Sequence, residues 1–557
     1  MMQTALRLFR YQISTMVSKN NCRFGSAVNQ TDNKTGKQTS GARSAYWLDS
    51  AKAHPLTSPL SSDITVDTCV IGAGISGLTT AYFLAKQGQK VAVLEDGNIS
   101  SGETGRTTGY LTWVIDDGIK EIIDYFGVDG AKLHVDSHRA AVDMIERIVR
   151  EEHINCEFKR VPSYWISRKP KETQIGEPDR AIRQEHKAMH EVGMTEATIV
   201  DKPPYAVDDG KCIKIPNQGQ FHSVAYCYGL AQSIIDNKSE VFTSSKVVDY
   251  KGGKEPWAKT EKGHKVNCKS LVMATNAPLQ KLTTIAKLEP YRTYIVGGEV
   301  PKGKYEWCIF QDDSMTKGKP YNYGRFTSLN STHDLLLVGG QDHLVGFNTD
   351  FEERYSALEK WTKERYPDIK FTYRWSGQVQ EPSDMIAYIG RDPGTENVYI
   401  ITGDSGLGLT HGTLGGNLVS DLILDIPNPW TDLYDPKRVQ LKAAPEMLKH
   451  LTEVNSKLVD YFKGGDVESI QEIPNGEGAI IWKGIKYYAV YKDENGKAHA
   501  CSAVCPHMKG RVRWNSSEKS WDCPLHGSRF DRFGKTICGP AKSNLTEAKV
   551  EELVDKK

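Results

Sequence analysis

The stretch from Val66 to Glu95 commits this chain to one local architecture. Val66 to Ile71 is a short apolar run of β character, and Gly72-Ala73-Gly74-Ile75-Ser76-Gly77 follows at once. Leu78 to Lys86 then carries a helical pattern, and Val91 to Leu94 is a second apolar strand that ends at Glu95. Strand, glycine turn, helix, strand and acid in this order make a parallel βαβ unit of the dinucleotide-binding kind. Each small or acidic position has a physical task. Gly72 permits the tight turn, Gly74 lets the backbone approach a pyrophosphate, and Gly77 lets the helix pack closely on the strand. Glu95 can accept a hydrogen bond from a ribose hydroxyl. The unit predicts a Rossmann-like α/β nucleotide-binding domain.

The other end of the chain carries a set of metal ligands, Cys505-Pro506-His507 and Cys523-Pro524-Leu525-His526-Gly527-Ser528. Two thiolates and two imidazoles also suit tetrahedral zinc. Here, however, each cysteine is paired with a histidine at unequal gaps, whereas structural zinc sites usually pair like with like. The pattern resembles that of Rieske domains, and Gly539-Pro540-Ala541 resembles the proline loop that covers their cluster. The resemblance implies that Cys505 and Cys523 hold one iron of a 2Fe–2S cluster while His507 and His526 hold the other. The extra cysteines of high-potential respiratory Rieske proteins correspond to Gly510 and Leu525, so no disulfide can bridge the ligand loops. Ser528 matches the serine that hydrogen-bonds a cluster sulfur, but the matching tyrosine is Phe530. Fewer donors to the sulfurs stabilise the reduced cluster less, so the expected potential lies low in the Rieske range, on the order of −150 mV.

Three further segments bear on the nucleotide. Ser100-Ser101-Gly102-Glu103-Thr104-Gly105-Arg106-Thr107-Thr108-Gly109 resembles the loop that covers the flavin pyrophosphate and ring in D-amino-acid-oxidase-like flavoenzymes, the group of glycine and sarcosine oxidases. Leu271 to Pro278 resembles their mid-chain strand and turn, and Val398 to Gly412 their closing strand, glycine-rich turn and helix start. The resemblance implies FAD held by Gly72, Gly74, Gly77, Glu95, Thr104, Gly105, Arg106, Thr107, Thr108, Gly403, Gly406, Leu407 and Gly408. The helix start after Gly406 would set backbone amides against the pyrimidine edge, where reduced flavin is anionic. Enzymes of this group move a hydride from a C–H beside an amine nitrogen onto the flavin. Arg292 and Arg325 are candidates to clamp a substrate carboxylate, and His343 is a candidate to face the ring. No residue stands out as a general base.

The domain plan follows. Residues 1–44 hold a basic start with no acid before Asp32 and with Leu6, Phe9, Ile13 and Met16 on one helical face. This suggests a mitochondrial (matrix) targeting segment and linker, with a cytoplasmic protein and a disordered tail as the alternative. Residues 66–430 should form the FAD-dependent oxidoreductase, an FAD-binding part interleaved with an α+β substrate domain. Residues 431–465 read as a helical linker, and 466–557 as a small all-β Rieske domain. With 71 basic and 70 acidic residues, nothing points to nucleic acid. No apolar run approaches the length of a transmembrane helix. No second glycine fingerprint follows a strand, so a nicotinamide domain is not expected. His186 and His190 lie four apart beside Glu185 and Glu191 and read as a solvated, charge-rich helix face. The expected function is oxidation of a small amine or amino acid, with electrons passing from FAD through the cluster to an external redox protein. The alternative is an electron-transfer protein fed through its cluster by a ferredoxin-like donor, with FAD as a relay.

Overall fold

In the computed structural model the strand Thr68–Ile71 is buried along its whole length, and a parallel sheet grows on both sides of it. The residues described are 43–52, 54–166, 177–279, 284–312, 321–445, 448, 452 and 464–553. The sheet runs Tyr388–Arg391, Val398–Thr402, Ser270–Met273, Thr68–Ile71, Val91–Leu94 and Glu240–Phe242, parallel except at the first pair. Both faces are covered, so its strands are continuously apolar rather than alternating. Helix α1 (Ile75–Lys86) returns the chain between the first two parallel strands. Helix α3 (Gly408–Ile423) packs beside it, because Gly412 and Gly416 leave room where Ser76 and Thr79 approach. The long helix α2 (Ile119–Glu151), kinked at Gly127, lies against α3.

A nine-stranded mixed sheet is built from segments that leave and re-enter this unit. Its longest members, Leu288–Pro301, His333–Leu344 and Lys370–Pro382, pair antiparallel. The C-terminal part consists of two four-stranded antiparallel sheets, of which Ser520–Asp522, Arg529–Asp531 and Thr536–Cys538 lie in the second. Its apolar core, around Trp521, Phe530 and Val512, is separate from the cores of the larger domain. Among the described residues no helix is long and apolar enough to cross a membrane.

Some expectations meet a different outcome. Helix Glu177–Glu191 is not solvated throughout, since the Glu185 carboxylate is buried and accepts from Ile119 N at 2.5 Å and Lys120 N at 3.2 Å, capping α2. His186 and His190 both hydrogen-bond the Ala197 carbonyl, at 3.0 and 3.1 Å. The ordered core also reaches back before Val66, because Tyr46 and Trp47 are buried in it. The basic start and residues 446–447, 449–451 and 453–463 of the helical linker lie outside the described residues.

The two domains meet through buried charge. Arg106 and Arg292 of the larger domain face Glu518, Asp522 and Arg529 of the smaller, and all five are almost wholly buried. Arg529 Nε donates to Asp522 Oδ1 at 3.1 Å, and the Ser376 hydroxyl donates to Glu518 across the boundary. Burial alone would raise the Glu518 carboxyl, but Arg292, Arg106 and Arg529 outweigh it and hold it below the usual range. A carboxylate depressed in this way contributes stability above its unfolded pKa and loses it as the pH falls through the folded value. Glu518→Ala should therefore cost about 3–5 kcal/mol, because three buried guanidinium groups lose a shared partner. Urea unfolding at neutral pH checks this, and the difference between variant and parent should shrink in acid.

Candidate functional site

The N-termini of α1 and α3 open into one cavity. Neither N-cap residue, Gly74 or Leu407, supplies a capping side chain, and although Ile75 N donates to Thr104 Oγ1 at 3.2 Å the other polarised amides are left to meet an anionic ligand. The turn before α1 can be no larger. Gly72 has φ +105°, and a Cβ on Gly77 would lie 2.0 Å from the Gly72 carbonyl oxygen. Of the residues expected to hold FAD, Gly72, Gly74, Glu95, Thr104, Arg106, Thr107, Thr108, Gly406, Leu407 and Gly408 line the cavity. Gly77, Gly105 and Gly403 lie behind that lining. The Glu95 carboxylate accepts from Ala73 N at 2.7 Å and Gly97 N at 3.0 Å, while burial and then Asp96 push it up to about 8. A cavity lined by two helix starts, a glycine turn and the acid Glu95 fits a dinucleotide.

The loop from Ser100 to Gly109 is held by aromatic residues distant in sequence. Trp47 Nε1 donates to the Thr107 carbonyl at 2.6 Å, and Trp375 Nε1 donates to the Arg106 carbonyl at 2.7 Å. Neither tryptophan carries a motif, so sequence reading had no means of finding them.

Part of the cavity wall comes from the smaller domain. Thr536, Ile537, Cys538, Gly539, Ala541 and Lys542 line it together with residues of the larger domain. A second junction lies beside the ligand loop, where Gln378 Nε2, a cavity residue, donates to the Gly527 carbonyl at 3.0 Å. A Cβ on Gly527 would lie 2.5 Å from Pro290 Cβ, and one on Gly346 would lie 2.9 Å from Pro524 Cβ. The loop carrying His526 is thus packed on the larger domain.

The two ligand loops share one backbone design. Cys505 N donates to Gly510 O at 2.8 Å and Lys509 N to Cys505 O at 3.1 Å. Cys523 N donates to Ser528 O at 2.8 Å and Gly527 N to Cys523 O at 3.1 Å. Lys509 and Gly527 both take left-handed backbone, which closes each loop. The Cys505 and Cys523 thiols are buried within hydrogen-bonding reach of each other, and the His507 and His526 rings stand 5.1 Å apart at their centroids. A donor set of two adjacent thiols and two adjacent imidazoles fits a 2Fe–2S cluster with unlike ends. Leu525 occupies the space over Gly510, where a Cβ would lie 2.6 Å from Leu525 Cγ. Ser528 Oγ accepts from Ala541 N at 3.0 Å and hydrogen-bonds Cys505.

On the side of the nine-stranded sheet, the cavity is lined by Thr293, Tyr110, Tyr321, Tyr323 and Asp116. Tyr321 donates to Asp116 Oδ2 at 2.8 Å. Burial pushes the Asp116 carboxyl up to about 7, opposed by the tyrosine and reinforced by Asp117, Asp342 and Asp312. Tyr323 lies in the strand Asn322–Ser328 and Tyr321 just before it, two residues apart, a period-2 signal that could have marked them.

The three residues singled out for catalysis do not line the cavity. Arg292 turns into the charged domain boundary, since its neighbour Thr293 takes the cavity-facing position. Arg325 Nη1 donates to the Gly109 and Phe221 carbonyls at 2.8 and 3.2 Å, and its guanidinium lies over Trp47. His343 Nε2 meets the Tyr294 hydroxyl at 2.9 Å, and its Nδ1 meets the Leu344 carbonyl at 2.9 Å. Arg325 and His343 are structural braces in this geometry, whereas the buried Arg292 guanidinium lies in the field of Glu518 and Asp522 with no hydrogen-bond partner among the described residues.

Comparison with known proteins agrees with this construction. The profile of the FAD dependent oxidoreductase family matches residues 67–422, and that of the Rieske [2Fe-2S] domain matches residues 465–549. A putative Rieske 2Fe-2S iron-sulfur protein, YhfW of Bacillus subtilis (strain 168), is 27% identical over 91% of this chain and 97% of its own length. Gamma-glutamylputrescine oxidoreductase of Escherichia coli (strain K12) is 24% identical over 68% of this chain and 88% of its own. Among solved structures, glycine oxidase from Geobacillus kaustophilus superposes with a TM-score of 0.57 at 16% identity, covering 68% of this chain and 99% of that one. The chain belongs to the FAD dependent oxidoreductase family and carries a Rieske domain behind it, so FAD and a 2Fe–2S cluster are its cofactors.

Ser528→Ala removes a donor from the cluster's sulfur environment and should lower the cluster potential while leaving the four ligands in place. A redox titration followed by the reduced-cluster EPR signal checks the direction.

Proposed function

We propose that this oxidoreductase dehydrogenates a small amine and passes the electrons through its own Rieske cluster to an external redox protein. The observation that carries this reading is the shared wall, in which Thr536 to Gly539 of the Rieske domain line the FAD cavity. FAD, when bound, takes up a hydride from a carbon beside the amine nitrogen. Gln378 supports the onward route, because one side chain both lines the cavity and hydrogen-bonds the residue next to His526. His507 is half-buried and its neighbour Met508 is exposed, which leaves a side of the cluster loop for a partner protein.

The lining supports an amine over an amino acid. Among the described residues, the cationic side chains in the cavity are Arg106, Lys246 and Lys542, and none stands on the strands that carry Thr293, Tyr321 and Tyr323. That side offers a carboxylate and three phenol rings instead. Asp116 can accept an amine N–H, and the rings of Tyr110, Tyr321 and Tyr323 present faces suited to an alkylammonium while excluding water. The γ-glutamylputrescine enzyme among the relatives also acts on an amine, by its name.

Anaerobic addition of monoamines, diamines and α-amino acids to the holoprotein tests the substrate class. Amines should bleach the flavin without needing a carboxylate. Asp116 is ionised above about pH 7 and neutral below it, so kcat/KM for an amine should fall as the pH drops through that value. Asp116→Asn should remove this limb and lower kcat/KM roughly 10- to 150-fold, the equivalent of a charge-assisted hydrogen bond of about 1.5–3 kcal/mol. Bleaching by α-amino acids alone would overturn the amine reading. No bleaching by any compound, with full reduction by a reduced ferredoxin, would favour a protein fed through its cluster.

A further inference from the structure

We propose that His134, His138 and His411 form a binding site for a divalent first-row transition-metal ion of the zinc class, separate from the iron–sulfur cluster. His134 and His138 stand one turn apart on α2, and His411 lies in the first turn of α3. Packing of the two helices brings the rings together, with centroids 4.1 Å apart for His134 and His138 and 4.4 Å for His138 and His411. One ligand nitrogen from each histidine lies within 4.8 Å of the others. All three side chains are buried, at no more than 1% exposure.

The hydrogen bonding is divided between the two ring nitrogens in the way a metal site requires. His138 Nδ1 meets the His134 carbonyl at 3.0 Å, and His411 Nδ1 meets the Asp404 carbonyl at 2.9 Å. A carbonyl can only accept, so both Nδ1 atoms carry the proton and both Nε2 atoms keep a lone pair. His134 Nδ1 lies 3.4 Å from the Tyr434 hydroxyl, which is 2.8 Å from Ser137 Oγ. On each ring, by contrast, Nε2 is buried with no hydrogen-bond partner. Leaving one buried acceptor unsatisfied costs about 1–3 kcal/mol, and the Nε2 atoms of His138 and His411 are two such acceptors. The three rings bring one ligand nitrogen each to within 4.8 Å of the others, and a cation placed among them would offer the unsatisfied nitrogens a partner.

The chemistry also selects the ion. Three imidazoles suit zinc, copper, nickel or iron and not magnesium or calcium, which take oxygen ligands. Among the described residues no carboxylate or thiolate joins the group, so the ion would keep its charge. His411 also lines the FAD cavity. The ion's charge beside that cavity would favour an anionic reduced flavin.

The test uses the full-length holoprotein. Elemental analysis, with cluster iron counted from the EPR signal, should find close to one further transition-metal ion per chain. After treatment with dipicolinate, titration with Zn2+ against a chromophoric chelator should restore it. His134→Gln and His138→Gln should each weaken Zn2+ binding by at least the roughly 100-fold that loss of supporting residues can cause. Bound flavin and an unchanged cluster EPR signal show that a variant has folded, and the metal content of the parent protein tests the site independently of any variant. No further metal as purified together with no saturable uptake of Zn2+ or Cu2+ would overturn the proposal. Equal Zn2+ affinity in parent and folded variants would overturn it too, marking the uptake as adventitious.

Discussion

Three arginines and two carboxylates sealed between the domains determine how the rest of the molecule can be arranged. Arg106 belongs to the loop that lines the FAD cavity, Arg292 to the nine-stranded sheet, and Glu518, Asp522 and Arg529 to the Rieske domain. Charges taken out of water are tolerable only when paired and hydrogen-bonded. Each domain alone would expose or strand its share of this cluster, whereas docking brings the opposite charges together. The same contact sets Thr536 to Lys542 against the cofactor cavity and Gly527 against Gln378. The electrostatic requirement and the redox arrangement therefore have one geometric solution, in which the cluster loop lies beside the flavin cavity.

That solution gives different meanings to residues of the same type. Arg106, Arg292 and Arg325 are all buried, yet none stands among Asp116, Tyr321 and Tyr323. Two serve the domain boundary, and the third braces the end of the loop at Gly109. With the arginines used structurally, the side of the cavity toward the nine-stranded sheet is left acidic and aromatic. Burial and nearby carboxylates raise Asp116 toward neutrality, so its charge state can respond to a ligand near physiological pH.

What could be read from the sequence was chemistry encoded over short spacings. The unit from Val66 to Glu95 and the two Cys–His loops each fit within a few turns or strands, so residue type and interval sufficed. Side-chain direction in the long strands was not legible, since the pairing of Leu288–Pro301 with His333–Leu344 shifts between Arg292 and Tyr294. A shift of this kind changes which residues face which side. The anchoring roles of Trp47 and Trp375 depend on tertiary packing and leave no local pattern. Histidines make the point most plainly, because His186/His190 and His134/His138 have the same spacing. The first pair caps a carbonyl near the surface, while the second meets His411 in the interior. Only the fold distinguishes them.

The central claim is that FAD and cluster exchange electrons within one chain because the two domains share a cavity wall. Rapid photoreduction of the flavin in anaerobic holoprotein, followed by the rise of the reduced cluster, tests it most directly. The account predicts a first-order rate of cluster reduction that does not change over a tenfold range of protein concentration. A rate that rises in proportion to protein concentration would mean that electrons pass between molecules, and would contradict it.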